Sequence, residues 1–106
     1  MSYKVVRSEE AVAREIVPTY HAHNFITKEI SPNFSLAVNE AKDHQETETT
    51  EYDRIYYVIE GIIVFDFDGD HAEVKAGDSC FISKGTTYDF GGTFKAVVVN
   101  QPAFGV

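Results

Sequence analysis

Along most of this chain apolar and polar residues alternate, and short apolar runs are cut at close intervals by turn residues. Phe34, Leu36 and Val38 alternate with Ser35, Ala37 and Asn39, the period-2 pattern of a half-buried strand. Residues 24–30 hold β-branched and aromatic side chains and close on Ser31-Pro32-Asn33. Residues 52–60 and 62–67 are rich in Tyr, Ile, Val and Phe, which predicts two strands joined by a tight turn at Gly61. Asp68-Gly69-Asp70 is a second hairpin signal. Strands over 71–75, 79–83, 86–90 and 94–100 follow, separated by Ala76-Gly77-Asp78, Lys84-Gly85 and Gly91-Gly92. Many short strands at regular spacing predict an all-β sandwich or barrel.

Two segments break that rhythm. Residues 3–6 have the composition of a short edge strand, and Ser8 is placed to cap a short helix running to Ile16, with Glu9 and Glu10 in its first turn and Pro18 ending it. Residues 42–51, Lys-Asp-His-Gln-Glu-Thr-Glu-Thr-Thr-Glu, read as a solvated loop or as a polar strand facing a wet cavity.

The 106 residues suit a single domain, 1–106, with one core, and 43% hydrophobic residues with 8 Phe and 6 Tyr are enough to fill it. A formal charge of −8 without a Lys/Arg cluster disfavours nucleic acid and anionic membrane surfaces. The single cysteine, Cys80, lies in an apolar stretch and reads as a buried, inert thiol in a reducing compartment. Neither a leader-like N-terminus nor an apolar run long enough to span a bilayer is evident, so the expected location is the cytoplasm.

The segment Asp-Arg-Ile-Tyr-Tyr-Val-Ile-Glu-Gly, residues 53–61, resembles the first motif of the cupins, and residues 77–88, Gly-Asp-Ser-Cys-Phe-Ile-Ser-Lys-Gly-Thr-Thr-Tyr, resemble the second. The resemblance covers about residues 34–102 and implies a cupin-type double-stranded β-helix, a jelly-roll barrel, here with one short N-terminal helix. It also implies positions for metal ligands, which this chain fills differently. Counting back from Gly61, the family's Glu falls on Arg54. Its two His fall on Glu48 and Thr50, or on Thr47 and Thr49, and the second motif's His falls on Tyr88. The usual Pro and Asn of the second motif fall on Ser83 and Gly92. A guanidinium cannot ligate a cation, so the expected cofactor and metal content is none. An alternative oxygen-rich set of Glu48, Asp53 and Tyr88 requires a bulge to turn Asp53 inward.

Strand parity places Arg54, Tyr56 and Val58 on the barrel-facing side, with Glu48, Thr50 and Tyr52 upstream and Tyr88 and Phe90 from the second motif. The expected pocket is therefore lined by Glu48, Thr50, Tyr52, Arg54, Tyr56 and Tyr88, with His44 at its mouth. Arg54, Tyr52, Tyr56 and Thr50 are its ligand-binding candidates; Tyr88, Glu48 and His44 are its proton-moving candidates. A buried Arg needs an anion, which is either Glu48 or a ligand carboxylate or phosphate. Phe65, Phe67 and Phe81 read as core filler, His21 and His23 as surface or interface residues, and His71 as exposed. The metal-independent sugar-nucleotide epimerases and the ethanolamine-utilisation cupins are similar in lacking the His cluster. The expected function is binding of a small polar or anionic compound, with isomerase, epimerase or lyase chemistry one outcome. The alternatives are a metal-dependent oxygenase or isomerase and a non-catalytic module. A homodimer is the expected assembly.

Overall fold

The computed structural model describes residues 2–106. A 3-10 turn, Ser8–Glu10, precedes seven strands: β1 (Val12–Val17), β2 (Tyr20–Ile26), β3 (Ser35–Thr49), β4 (Asp53–Phe67), β5 (Asp70–Lys75), β6 (Ser79–Ile82) and β7 (Thr87–Gln101). All pair antiparallel in the order β1-β2-β3-β7-β4-β5. β6 lies beside the first half of β4, with Arg54 opposite Ile82, and β5 beside its second half, with Ile62 opposite Lys75. This is the expected all-β jelly-roll architecture.

The three 15-residue strands bend at one level. β3 shifts register between Ala41 and His44 and β4 between Val58 and Glu60, beside Gly91 and Gly92 of β7. Bulges sharpen twist and let a sheet curl back on itself. The glycines permit the close backbone approach this requires. A methyl on Gly61 (φ 77°) would collide with the Thr93 carbonyl oxygen, and one on Gly91 with the His44 carbonyl and the Gln45 side chain. Beyond the bend the interior is filled with apolar side chains: Ile63, Phe65, Val74, Phe90 and Phe94 pack there with Tyr88 and Val58. Each such side chain contributes about 1.5–3 kcal/mol of burial free energy. Before the bend the interior is polar and partly hollow.

Several sequence expectations are corrected. No helix follows Ser8–Glu10; residues 12–17 form β1, which pairs with β2 from Val12 to Val17 across the Pro18-Thr19 turn, with Ile16 at a register shift. Strand pairing overrides a weak capping signal there. Residues 3–6 form no strand, and the strand expected at 24–30 is instead Tyr20–Ile26. Gly61 is not a turn but sits at a bulge within one continuous strand, and Gly91-Gly92 likewise lies inside β7 rather than between two strands. The polar stretch 42–51 is strand as far as Thr49. Phe65 is core and Phe67 packs against it, but Phe81 is 64% exposed. Cys80 is partly buried, and burial pushes its thiol pKa up. His71 is exposed, and His21 is half-exposed near Glu15.

Parity on β3 is the reverse of the usual reading. Ser35 and Asn39 are buried, whereas Leu36 and Val38 are half-buried on the outer face and Phe34 is exposed. The interior at this end is a polar cavity, so the apolar row faces out. Among the described residues no helix is long and apolar enough to cross a membrane.

Candidate functional site

The cavity, about 210 Å³, opens at the polar end of the barrel. Arg14 and Ile16 come from β1, Tyr20, Ala22 and Asn24 from β2, and Asn39, Glu46 and Glu48 from β3. Val98 and Asn100 from β7 and Arg54 and Tyr56 from β4 continue the wall, with Phe104 from the C-terminal tail.

Arg54 anchors the site. It is 4% exposed, and every residue that bonds it is placed by strand register. Asn100 is its cross-strand partner, and Nε donates to Asn100 Oδ1 at 2.6 Å. Nη1 donates to Tyr88 Oη at 3.0 Å and lies 2.8 Å from Glu48 Oε1. Glu48 and Tyr88 are themselves a cross-strand pair, with the Tyr88 hydroxyl 3.3 Å from Glu48 Oε2 and 2.8 Å from the Tyr56 hydroxyl. Burial works against charge on Arg54, yet the oxygens of Tyr56, Tyr88 and Glu48 outweigh it and raise its pKa. Burial also lifts the phenols of Tyr56 and Tyr88, so both stay protonated as donors.

A second polar pair stands further along β3 from Glu48. His44 is buried, stacked on Tyr20 at 4.7 Å, with Nδ1 2.8 Å from Thr19 Oγ1 and Nε2 2.8 Å from Glu46 Oε1. Beside it Asn39 Nδ2 donates to the Tyr20 hydroxyl at 2.8 Å. Arg14 stacks over Phe104 at 5.5 Å on the rim.

The sequence-predicted residues thus divide. Arg54, Tyr56 and Glu48 line the cavity together. Tyr88 lies one layer behind, joining the other three. His44 is behind Glu46 rather than at the mouth. Tyr52 and Thr50 face inward but do not line the cavity. The Tyr52 hydroxyl accepts from Gly105 N at 2.8 Å and so fastens the tail. Thr50 Oγ1 donates to the Tyr52 carbonyl at 2.9 Å in a local turn. Asn39, Asn100, Tyr20, Glu46, Arg14 and Phe104 were not anticipated. The inward parity of Asn100, two residues beyond Val98 on one face of β7, was the available signal for one of them.

The family's metal does not fit these residues. Glu48 is committed to Arg54, and Asp53 faces away, accepting from Lys84 N at 2.8 Å. Among the described residues no three His, Cys, Asp or Glu side chains converge. The oxygen-rich ligand set therefore does not assemble.

Solved structures share this fold. EutQ from Clostridium difficile superposes with a TM-score of 0.76 at 29% identity over 80% of this chain, which spans 64% of that protein's length. An ethanolamine utilisation protein Q from Salmonella typhimurium gives 0.75 at 26% identity, covering 79% of this chain and 70% of that one. KdgF from Halomonas gives 0.85 at 13% identity over 98% and 97%, a likeness of fold alone. No curated protein matches the sequence. The sequence model of the ethanolamine utilisation protein EutQ matches residues 2–103, nearly the whole chain, and the protein therefore belongs to the EutQ family of cupins.

Proposed function

We propose that this is a small-molecule-binding cupin working without a metal, its cavity floored by the Arg54–Glu48–Tyr88–Tyr56 network. The observation that carries the reading is a buried guanidinium, held by hydrogen bonds on two of its nitrogens, in the wall of the cavity where the family resemblance places a metal-binding carboxylate. For isomerisation, epimerisation or elimination beside a carbonyl, the Tyr56 phenol becomes a donor for a developing oxyanion when the Tyr88 proton turns from Glu48 to the Tyr56 oxygen. Glu46 is better suited than Glu48 to take a proton, because Glu48 is held by Arg54 while Glu46 is a cavity carboxylate steadied by His44. The family's link to ethanolamine utilisation supports including amino alcohols among the compounds tried. Elemental analysis of protein purified without added metal should find no stoichiometric iron, manganese, nickel or zinc. Small polar compounds should raise its unfolding temperature, and Arg54→Met should abolish that response. Stoichiometric metal, or an unchanged response in Arg54→Met, overturns the proposal.

A second reading concerns assembly, and the outer face favours it. Phe81, Ile55, Val99, Leu36 and Ile26 are cross-strand neighbours in one outward row, and Tyr57, Val97 and Val38 form the next. Phe81 and Tyr57, 64% and 48% exposed, alone present roughly 200 Å². The whole patch approaches the few hundred Å² that marks an interaction site. Neither row contains a charged side chain, so two copies each carrying −8 meet there with least repulsion. A second copy of the chain is therefore proposed to cover this face.

A further inference from the structure

We infer that the cavity seats a ligand hydroxyl between Asn39 and Tyr20, and that its ligand is a small uncharged polyol. The inference rests on the reading of this cavity as a ligand site and names the class of compound it takes. Asn39 is 8% exposed, lines the cavity, and its Oδ1 is buried without a hydrogen-bond partner. Such an acceptor costs its full desolvation unless something supplies a donor. Its neighbour Tyr20 accepts from Asn39 Nδ2, and among the described residues nothing accepts the Tyr20 hydroxyl proton. Burial keeps that proton in place by raising the phenol's pKa. Both residues line the cavity, and between them they leave one acceptor and one donor unused. Turning the Asn39 amide over exchanges the roles but still leaves one of each. A hydroxyl both donates and accepts, and matches this pair in either orientation.

The deep charges of the cavity argue for a ligand without one; the other lining cation, Arg14, is exposed on the rim over Phe104. The deep cation, Arg54, has its carboxylate in Glu48, and the Glu46 carboxylate is bonded to His44. A ligand carboxylate would face Glu48 and Glu46 while competing for a guanidinium already paired. A ligand ammonium would find both carboxylates engaged. On the neighbouring strand β7, Asn100 also lines the cavity and has only its Oδ1 occupied, by Arg54 Nε. Its amide nitrogen makes no hydrogen bond among the described residues, which offers a donor to a second hydroxyl.

The test titrates wild type, Asn39→Leu and Tyr20→Phe with meso-erythritol and D-ribose as neutral polyols, and with glycolate, acetate and ethanolamine as charged comparators, following binding by calorimetry and protein NMR. The wild type should bind a polyol in preference to every charged probe. Asn39→Leu should weaken that binding at least tenfold, and Tyr20→Phe severalfold. Asn39→Leu removes the unpaired acceptor but also the donor to the Tyr20 hydroxyl, so the unliganded double variant Asn39→Leu/Tyr20→Phe, which leaves neither group of the pair unpaired, should unfold at a temperature no lower than wild type. Equal polyol affinity in Asn39→Leu, or preferential binding of a charged probe, overturns the inference while leaving the cavity reading intact. If no probe of either kind binds the wild type, the cavity reading fails and the inference falls with it.

Discussion

Replacing Glu48 by Gln keeps the shape and one oxygen acceptor but leaves Arg54 without its counter-charge. Arg54 is 4% exposed, its Nη1 is 2.8 Å from the carboxylate, and its other bonds, to Asn100 and Tyr88, are to neutral groups. Breaking a buried ion pair by removing one partner costs about 3–5 kcal/mol. The Glu48 side chain is 27% exposed, so water softens the loss, and the amide oxygen retains about 1 kcal/mol of hydrogen bonding. The expected cost is about 2 kcal/mol, or about 10 °C in unfolding temperature for a domain of this size. Urea unfolding should show a lower midpoint with unchanged slope. The loss should persist at high salt, because a buried pair is poorly screened. Arg54→Met should cost less than Glu48→Gln, since the abandoned carboxylate reaches water. In the double variant the two costs should not add. If Glu48→Gln lies within about 0.5 kcal/mol of the parent at both salt concentrations, Glu48 does not compensate the buried charge and the account of the network is wrong.

Other expectations follow from the same coordinates. Tyr88→Phe deletes a hydroxyl bonded to Arg54, Tyr56 and Glu48 and should cost about 1–3 kcal/mol by chemical denaturation; a neutral result would mean that Tyr88 is only a core aromatic. Tyr20, Tyr56 and Tyr88 all have pKa values raised by burial, so the folded state holds protons that the unfolded state releases above about pH 10. Stability should therefore be level near neutrality and fall as pH rises through that value, with these three phenols ionising late by ultraviolet titration; early ionisation of all six tyrosines without unfolding would contradict the burial. Phe81→Glu places a charge in the uncharged outer row and should convert a dimer to monomer by sedimentation without lowering monomer stability, whereas a wild type that is monomeric at micromolar concentration removes the proposed interface.

What the sequence disclosed, it disclosed through parity. Counting back from Gly61 put Arg54, Tyr56 and Glu48 inside, and they line the cavity. Pairing of Glu48 with Tyr88 and Arg54 with Asn100 depends on register between distant strands, which alternation within one strand does not contain. β1 was missed because a Ser followed by two Glu mimics a capped helix, and the alternation over residues 34–39 does not say which side of β3 faces in, where the polar side does. Tyr52 and Thr50 have the parity of ligand contacts, but the tail and a local turn occupy them.

That inside-out strand bears on how the chain finds its pairing. Over residues 35–39 the outer side offers Leu36 and Val38 and the inner side Ser35 and Asn39, so sliding β3 by a single position would gain apolar burial rather than lose it. Hydrophobicity cannot hold the alignment there. The glycines at the bend can, because only Gly91 admits the His44 carbonyl and only Gly61 the Thr93 carbonyl. They act as index marks, fixing where the three long strands cross. A side chain at either position should thus yield a mixture of misaligned barrels, which shows up as aggregation during refolding.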